Sequence, residues 1–158
     1  MTPPDKSTSK RARVLFVCTH NSARSQMAEG FLRHHASDGF EARSAGTEPG
    51  ALHPLAVQVM ADSGIDISGQ RAKSVDAFLE EPFDYVVTVC DDANESCPVF
   101  PNASHRLHWS FPDPSRAEGT PEERLAAFRS VRGAIRARVE EFLSSALSEG
   151  DHSNDSRR

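Results

Sequence analysis

Residues 13–29 read RVLFVCTHNSARSQMAE, and three kinds of pattern follow one another in this segment. Residues 14–17 form a continuous apolar run with β-branched valines at both ends, which predicts a strand covered on both faces. Residues 18–25 are small and polar, which is typical of a tight loop, and residues 26–29 begin a helical pattern. The stretch therefore predicts a buried strand, a loop and a helix in direct succession.

The loop carries a cysteine and an arginine, Cys18 and Arg24, with five residues between them. A thiol that faces a helix N-terminus has its thiolate stabilised by unpaired backbone N–H groups and by the helix dipole. The same N–H groups can cradle a tetrahedral oxyanion, and a guanidinium group can bind two of its oxygens. The other residues predicted to form this oxyanion-binding loop are Thr19, His20, Asn21, Ser22, Ala23 and Ser25. The alternative is a buried structural cysteine beside a surface arginine.

The composition is that of an ordinary globular protein. The chain has 158 residues, of which 37% are hydrophobic and 26% charged, enough for one domain with a sizeable core. The net charge of −5 argues against nucleic acid as a partner. Neither a secretory signal nor a membrane-spanning run is visible, so we expect a cytoplasmic protein that does not bind a membrane, and we expect a monomer.

Capping and turn residues, together with the periodicity of the apolar residues, predict the limits of the domain and the remaining helices and strands. Residues 1–11 are predicted to be a disordered tail, residues 12–147 a single domain and residues 148–158 a polar C-terminal tail. Further strands are predicted at 40–44, 85–89 and 106–109, and further helices at 54–62, at 74–79 and from a capping Thr120 to about 146.

The alternation of strands and helices predicts an α/β fold. We expect a three-layer sandwich with a central parallel sheet of about four strands and helices on both faces. Ligands bind at the carboxyl ends of the strands in such sheets. The loops that begin at Cys18 and at Cys90 each follow a strand directly, so we expect both at one edge of the sheet.

The chain has two further cysteines, Cys90 and Cys97, which flank the acidic segment 91–96. A zinc site is rejected because there is a single cysteine pair, and no histidine pair at finger spacing accompanies it. The pair is then either two incidental buried thiols or a redox couple. Incidental thiols prefer apolar neighbours, whereas this segment is polar and acidic, and this favours a redox role. No metal is expected.

The segment Phe111-Pro112-Asp113-Pro114 predicts a rigid turn that carries one carboxylate. A stiff loop that aims a single aspartate suits a general acid that protonates a departing oxygen. An Asp-Pro turn without chemistry is the alternative, since that dipeptide is common in turns.

Taken together, CTHNSARS at 18–25, the Cys90 and Cys97 pair and HWSFPDP at 108–114 resemble the thioredoxin-coupled arsenate reductases. That family shares the fold of the low-molecular-weight protein tyrosine phosphatases. The resemblance covers about residues 13–143. It implies that the protein binds arsenate, with phosphate or sulfate as competing anions. It also implies that no cofactor is bound and that thioredoxin is the external reductant.

The resemblance further implies a mechanism. Cys18 would attack arsenic while Arg24 and the loop N–H groups hold the oxygens and Asp113 protonates the leaving oxygen. Cys90 would then attack Cys18, releasing arsenite, and Cys97 would attack Cys90 to carry the disulfide outward for thioredoxin. Two thiols that become a disulfide supply the two electrons that arsenate reduction needs.

Two positions depart from the family. Relatives often have Gly where this chain has His20. Some relatives bind a potassium ion with Asn, Glu, Ser and Asp; Asn21, Glu29 and Ser44 match the first three, but Lys73 stands at the fourth position. A lysine ammonium could replace that cation, so we expect no potassium dependence.

Two other functions remain open. A phosphatase on the same fold would use the same cysteine loop and Asp113, but related phosphatases typically carry Tyr where this chain has Ser115, and they have no need of Cys90 and Cys97. A non-catalytic oxyanion sensor would need no nucleophile, which argues against it because Cys18, Arg24 and Asp113 are all present.

Overall fold

The computed structural model describes the backbone of residues 11–91 and 97–156, and the side chains of these segments as far as residue 146. In this part of the chain the strands are β1 (Ala12–Cys18), β2 (Phe40–Gly46), β3 (Phe83–Thr88) and β4 (Ala103–His108). They form one parallel sheet in the order β2-β1-β3-β4. The helices around it are α1 (Arg24–Ala36), α2 (Pro54–Asp62) and α3 (Pro121–Ser156). The predicted α/β fold with a central parallel sheet is confirmed.

Two helices begin where the sequence predicts, whereas α1 begins at Arg24, two residues before the predicted start. Pro54 opens α2, and the ring of His53 caps it by accepting a hydrogen bond from the Leu55 N–H at 3.1 Å. Thr120 and Glu123 form the predicted capping box at the start of α3, each side chain bonded to the other residue's backbone N–H. In the described part of the chain, no helix is both long and apolar enough to cross a membrane.

The predicted tails are described only in part. Residues 1–10 and 157–158 lie outside the described residues, and Arg11 is an exposed residue directly before β1. The backbone of α3 continues past residue 148, where the polar tail was predicted to begin, as far as Ser156. No proline interrupts this polar stretch, so the helical hydrogen bonding can continue through it.

The predicted edge strand at 106–109 is shifted. β4 begins at Ala103, which pairs with Phe83, and ends at His108, so Trp109 lies beyond it. Most of β4 is exposed, and its polar residues give no alternating apolar signal. Pairing with β3 decides its limits instead, and this cannot be seen in the local sequence.

The core lies around β1. Residues 14–17 are fully buried, as expected of a strand with a neighbour on each side. On α3 the predicted apolar face is buried at Phe128, Val131, Ile135, Val139 and Phe142. The ring of Phe142 meets Trp109 with 5.7 Å between centroids, and Trp109 in turn meets Phe16 of β1 at the same separation. This packing holds β1 and the loop that follows it.

The strand order fixes where a ligand can bind. From β1 the chain continues to β2 on one side of the sheet, and from β3 it continues to β4 on the other side. β1 and β3 are adjacent, so the loops at their carboxyl ends diverge and leave a crevice between them. Cys18 ends β1, and Cys90 comes shortly after β3, so both lie at the end of the sheet where this crevice forms.

Candidate active site

The loop after β1 wraps around the Cys18 sulfur. Cys18 is 3% exposed, and its Sγ lies 2.9 Å from the Ser25 hydroxyl and 3.2 Å from the Asn21 backbone N–H, which donates to it. The side-chain amide of Asn21 also donates a hydrogen bond to the Ser25 hydroxyl at 2.7 Å. Asn21 and Ser25, two residues of the predicted loop, are therefore in direct contact with the thiol and with each other.

The turn of the loop depends on two backbone features. Asn21 has a φ of 54°, in the left-handed region that asparagine tolerates better than most residues. Gly46, at the end of β2, passes so close that a Cβ there would lie 2.6 Å from the Thr19 carbonyl oxygen. The Thr47 and Glu48 N–H groups donate to the carbonyls of Cys18 and Thr19. The end of β2 and the two residues after it thus pack and hydrogen-bond against the backbone of the Cys18 loop.

Gln26 braces the loop from inside the protein, a role that the sequence analysis missed. Its side chain is fully buried, and its Nε2 contacts the Asn21 carbonyl at 2.9 Å and the Arg71 carbonyl at 2.8 Å. The available signal was a polar residue on the apolar side of the helix that follows the loop. A buried amide needs partners, and these partners are loop backbone.

The protonation of Cys18 is set by opposing effects. Burial is the largest and raises the pKa of the thiol above its ordinary value. The hydroxyl and backbone N–H of Ser25, and more weakly the charge of Arg24, lower the pKa, while the nearby Cys90 raises it. The direction is opposite to the thiolate stabilisation predicted from the helix N-terminus, because the sulfur is more deeply buried than its position before a helix suggests.

Arg24 and Asp113 lie on the same side of the crevice. The Arg24 guanidinium donates to the Phe111 carbonyl at 2.9 Å and lies 3.5 Å from an Asp113 carboxylate oxygen. The second arginine at Asp113 is Arg116, also at 3.5 Å. The structure therefore brings the predicted anion-binding arginine and the predicted general acid into contact.

Asp113 itself caps a short 3-10 turn, Pro114–Arg116, by accepting hydrogen bonds from the N–H and hydroxyl of Ser115. Burial favours the neutral acid, but these two hydrogen bonds oppose it. With the positive charges of Arg24 and Arg116 added, the pKa of Asp113 lies below its ordinary value. The carboxylate is therefore ionised at neutral pH in this arrangement.

These groups open onto a cavity of about 240 Å³. Its lining consists of the loop residues Thr19, His20 and Arg24, the β3 loop residues Cys90 and Asp91, and Phe111, Asp113 and Arg116. His20 occupies the rim, with its Nδ1 2.9 Å from the Glu48 carbonyl, so this nitrogen carries the proton. The cavity combines arginine side chains that can bind an anion, a carboxylate and a second thiol.

All three cysteines are free thiols. Cys90 is 4% exposed, and its Sγ lies 3.4 Å from the Thr19 hydroxyl, in the loop that holds Cys18. Cys97 is half-buried; burial raises its pKa, and Arg106 opposes this shift. Residues 92–96, which join the two, lie outside the described residues. The structure thus places Cys90 at the Cys18 loop and Cys97 further along the chain.

A histidine and an aspartate beside Cys90 were also missed. His108 at the end of β4 lies 2.8 Å from the Asp91 carboxylate through Nε2 and 2.7 Å from the Thr88 hydroxyl through Nδ1. The hydrogen bond from His108 is the main cause that lowers the pKa of Asp91. No sequence signal joins residues so far apart, since the contact depends on the pairing of β3 with β4.

The four residues of the predicted cation-site equivalent converge. Glu29 is 4% exposed and accepts hydrogen bonds from Ser44 and Arg33. The Lys73 ammonium lies 3.9 Å from Glu29, and its backbone N–H donates to the Asn21 side chain at 2.9 Å. A lysine charge therefore stands next to the buried carboxylate. Within the described segments, no group of three or more Cys, His, Asp or Glu side chains converges in a way that could hold a metal ion.

Several proteins with similar sequences are arsenate reductases. The chain is 49% identical over 129 residues to an arsenate reductase of Shouchella clausii, covering 82% of this chain and 93% of that protein. It is 46% identical, with the same coverage, to an arsenate reductase of Bacillus subtilis. A model of the low molecular weight phosphotyrosine protein phosphatase family matches residues 13–152.

Solved structures agree with the sequence matches. An arsenate reductase in a phosphate-binding state has a TM-score of 0.74 at 34% identity, over 85% of this chain and 98% of that chain. Similar arsenate reductases have been solved in reduced, intermediate and oxidized states. A thioredoxin-dependent arsenate reductase of Corynebacterium glutamicum has a TM-score of 0.66 at 32% identity, over 90% of this chain and 66% of that chain. The relatives named above are arsenate reductases, and the chain belongs to the low molecular weight phosphotyrosine protein phosphatase family.

Proposed function

We propose that this protein reduces arsenate to arsenite, with Cys18 as the nucleophile and Cys90 and Cys97 as the thiols that collect the oxidation. The observation that carries the proposal is the position of Cys90. Its sulfur touches the hydroxyl of Thr19, the residue directly after Cys18, and lines the same cavity as Arg24. A hydrolase would have no use for a second thiol at this position.

The first step forms a bond between sulfur and arsenic. The Cys18 thiolate attacks arsenic, and one arsenate oxygen departs as water after protonation by Asp113. The loop N–H groups and Arg24 bind the remaining oxygens. An oxyanion that engages Arg24 also weakens that arginine's hold on Asp113, which allows the pKa of the carboxyl group to rise and a proton to be carried.

The second step transfers electrons. The Cys90 thiolate attacks the Cys18 sulfur, so a sulfur–sulfur bond forms and the sulfur–arsenic bond breaks. The electron pair of the broken bond stays on arsenic, which passes from the pentavalent to the trivalent state and leaves as arsenite. Cys97 then attacks Cys90, and Cys18 is released as a thiolate. The product is a Cys90–Cys97 disulfide.

A dithiol reductant completes the cycle by reducing this disulfide. We assign the role to thioredoxin, and the support is the retained Cys97 together with a thioredoxin-dependent relative from Corynebacterium glutamicum. The chemistry needs no bound cofactor, because the three thiols and the reductant account for both electrons. A reducing compartment suits such thiols, so we place the protein in the cytoplasm, acting as a monomer.

A Lys73 ammonium in place of a bound cation completes the proposal. It stands beside Glu29, while its backbone holds Asn21 of the loop. A tethered charge of this kind would steady the loop without any ion from solution.

Phosphatase activity is the second candidate. The family match and the pairing of Arg24 with Asp113 support it, since hydrolysis of a phosphoester would use the same nucleophile, anion cradle and acid. Ser115 stands in place of the Tyr typical of the related phosphatases, and Cys90 and Cys97 would be idle. We therefore expect at most a weak phosphatase side activity, because phosphate resembles arsenate in shape and charge.

The deciding experiment measures arsenate-dependent NADPH consumption with thioredoxin and thioredoxin reductase supplied. We expect the signal to disappear without thioredoxin and in each of Cys18→Ser, Cys90→Ser and Cys97→Ser. Phosphate binding should survive in Cys90→Ser and Cys97→Ser. Absence of arsenate turnover, together with aryl phosphate hydrolysis that persists without Cys90 and Cys97, would transfer the assignment to the phosphatase.

A further inference from the structure

A second charged cavity, of about 460 Å³, lies next to the helix that follows the Cys18 loop. Its charged lining consists of four cationic and two acidic side chains: Arg33, Arg43, Arg71, Lys73, Glu29 and Asp66. Among the described residues, none lines both this cavity and the active-site cavity. Within the lining, four positive and two negative groups leave a surplus of two positive charges, although one of the four, Arg43, also pairs with Glu41 outside the lining at 2.9 Å.

The two carboxylates are already engaged. Glu29 is buried, accepts hydrogen bonds from Ser44 and Arg33, and has the Lys73 ammonium 3.9 Å away. Asp66 accepts hydrogen bonds from the N–H and hydroxyl of Ser68. In the described segments, neither carboxylate forms an ion pair with Arg43 or Arg71.

The cations are not fully paired. In the described segments, the guanidinium of Arg71 has neither a hydrogen bond nor an ion pair, and its side chain is exposed. Burial lowers the pKa of Lys73; Glu29 opposes this, but the charges of Arg71, Arg33 and Arg43 lower the pKa further. The cationic groups therefore repel one another across the cavity, and a bound anion would relieve that repulsion.

We propose that this cavity binds a free, multiply charged oxyanion of the phosphate or pyrophosphate type. Arginine forks bind the oxygens of such anions in pairs, and the excess of positive over negative groups in the lining favours a multiply charged anion. The site is separate from the one that holds the reacting anion.

The cavity is connected to the Cys18 loop through the backbone. The Arg71 carbonyl accepts hydrogen bonds from the Gln26 amide and from its neighbour Lys73, and the Lys73 N–H donates to the Asn21 side chain. An anion that draws the Arg71 and Lys73 side chains toward itself acts on the segment that holds Asn21. Occupancy of this second site thus bears on the conformation of the catalytic loop.

The test is a titration of the full-length, ¹⁵N-labelled chain with sodium pyrophosphate, followed by NMR and compared with sodium chloride at matched ionic strength. Arg24→Ala is used to weaken binding at the active-site loop, and its dispersed spectrum serves as the check of folding. We expect saturable shifts of the amides at residues 66–73 in this variant. Adding Arg71→Ala removes the guanidinium but keeps the backbone carbonyl that binds Gln26. This change should weaken pyrophosphate binding by at least about tenfold.

Arg136→Ala, which removes an exposed arginine paired with Glu140 on α3, is the matched control and should leave the titration unchanged. Shifts confined to residues 18–25, or shifts that chloride reproduces, would overturn the proposal. A parallel titration with adenosine monophosphate separates a free oxyanion from phosphate carried on a larger molecule. Tighter binding of the nucleotide would overturn the assignment to a free anion. The readout is binding alone, so it stands apart from the outcome of the arsenate assay.

Discussion

The Nε2 of His108 lies 2.8 Å from the carboxylate of Asp91, and the other ring nitrogen of His108 lies 2.7 Å from the buried Thr88 hydroxyl. Asp91 directly follows Cys90. The contact therefore joins the backbone beside the second thiol to the ends of β3 and β4. It fixes that thiol's position relative to Cys18 without touching either sulfur.

We expect Asp91→Ala and His108→Ala each to slow formation of the Cys18–Cys90 disulfide about three- to tenfold, because the backbone next to Cys90 loses its anchor to the end of β4. Single-turnover arsenite release measures this step. The double variant should be no slower than the worse single variant, since both remove the same contact. Asp38→Ala, at an exposed and remote position, is the control. An equal loss of phosphate affinity would contradict a role confined to Cys90.

The hydrogen bond between Ser25 and Cys18 predicts a pH effect with a definite sign. Burial raises the pKa of Cys18 and the Ser25 contacts lower it, so Ser25→Ala should raise the pKa further. At neutral pH the thiolate fraction then falls, and the rate of alkylation by iodoacetamide falls with it. The profile of rate against pH should move to higher pH.

This measurement is made in chains that lack Cys90 and Cys97, so that one thiol reacts. Ser25→Thr keeps the hydroxyl and should leave the profile close to that of the parent. A profile that moves to lower pH in Ser25→Ala would contradict the stabilising role of this contact.

Gly46 should tolerate no side chain. A Cβ would lie 2.6 Å from the Thr19 carbonyl oxygen and 3.0 Å from the Asn21 nitrogen, both of which are backbone atoms. We expect Gly46→Ala to destabilise the protein by about 1–3 kcal/mol and to weaken phosphate binding by displacing the loop. Denaturant unfolding and calorimetric titration measure the two effects.

Gly133→Ala is the matched control, since a Cβ at this position in α3 meets no atom within 4 Å. Alanine there should be neutral or stabilise by up to about 1 kcal/mol, because it reduces the freedom of the unfolded chain and favours helix. If both substitutions lowered the free energy of unfolding equally, the close approach of Gly46 to the Cys18 loop would not be the cause of the destabilisation.

Lys73 should make activity indifferent to potassium. At fixed ionic strength, we expect turnover in potassium and in sodium chloride to agree within about twofold, because the charge beside Glu29 is already supplied by the chain. Lys73→Ala should lower the free energy of unfolding by about 1 kcal/mol, as Glu29 then depends on Arg33 for its charge partner. Turnover that rises steeply with potassium in the parent protein would refute the tethered cation.

Local signals carried much of the prediction. The apolar run before Cys18 and the small polar residues after it determine strand and loop directly. Pro54 at the start of α2 and Gly64 after its end bound that helix where the structure has it. The placement of Cys90 near Cys18 followed from a general property of parallel sheets, that successive carboxyl ends share an edge.

What could not be predicted depends on contacts between distant segments. The partners of Gln26 and of His108 are set by strand order and register, which the local sequence does not record. The pKa of Cys18 was misjudged for a related reason. Proximity to a helix start can be seen in the sequence, whereas the burial that outweighs it results from the packing of the whole domain.

The order of the strands also bears on how the protein opens in solution. In the described sheet, β1 is hydrogen-bonded along both edges and β4 along one. Amide hydrogen exchange near the Cys18 end should therefore require nearly global unfolding, whereas the β4 edge, which follows Cys97, should exchange through smaller openings. Oxidation that begins at Cys18, in the slowest-exchanging part of the molecule, can thus be passed to Cys97, which precedes the faster-exchanging β4. The strand that bears the nucleophile keeps its hydrogen bonds throughout.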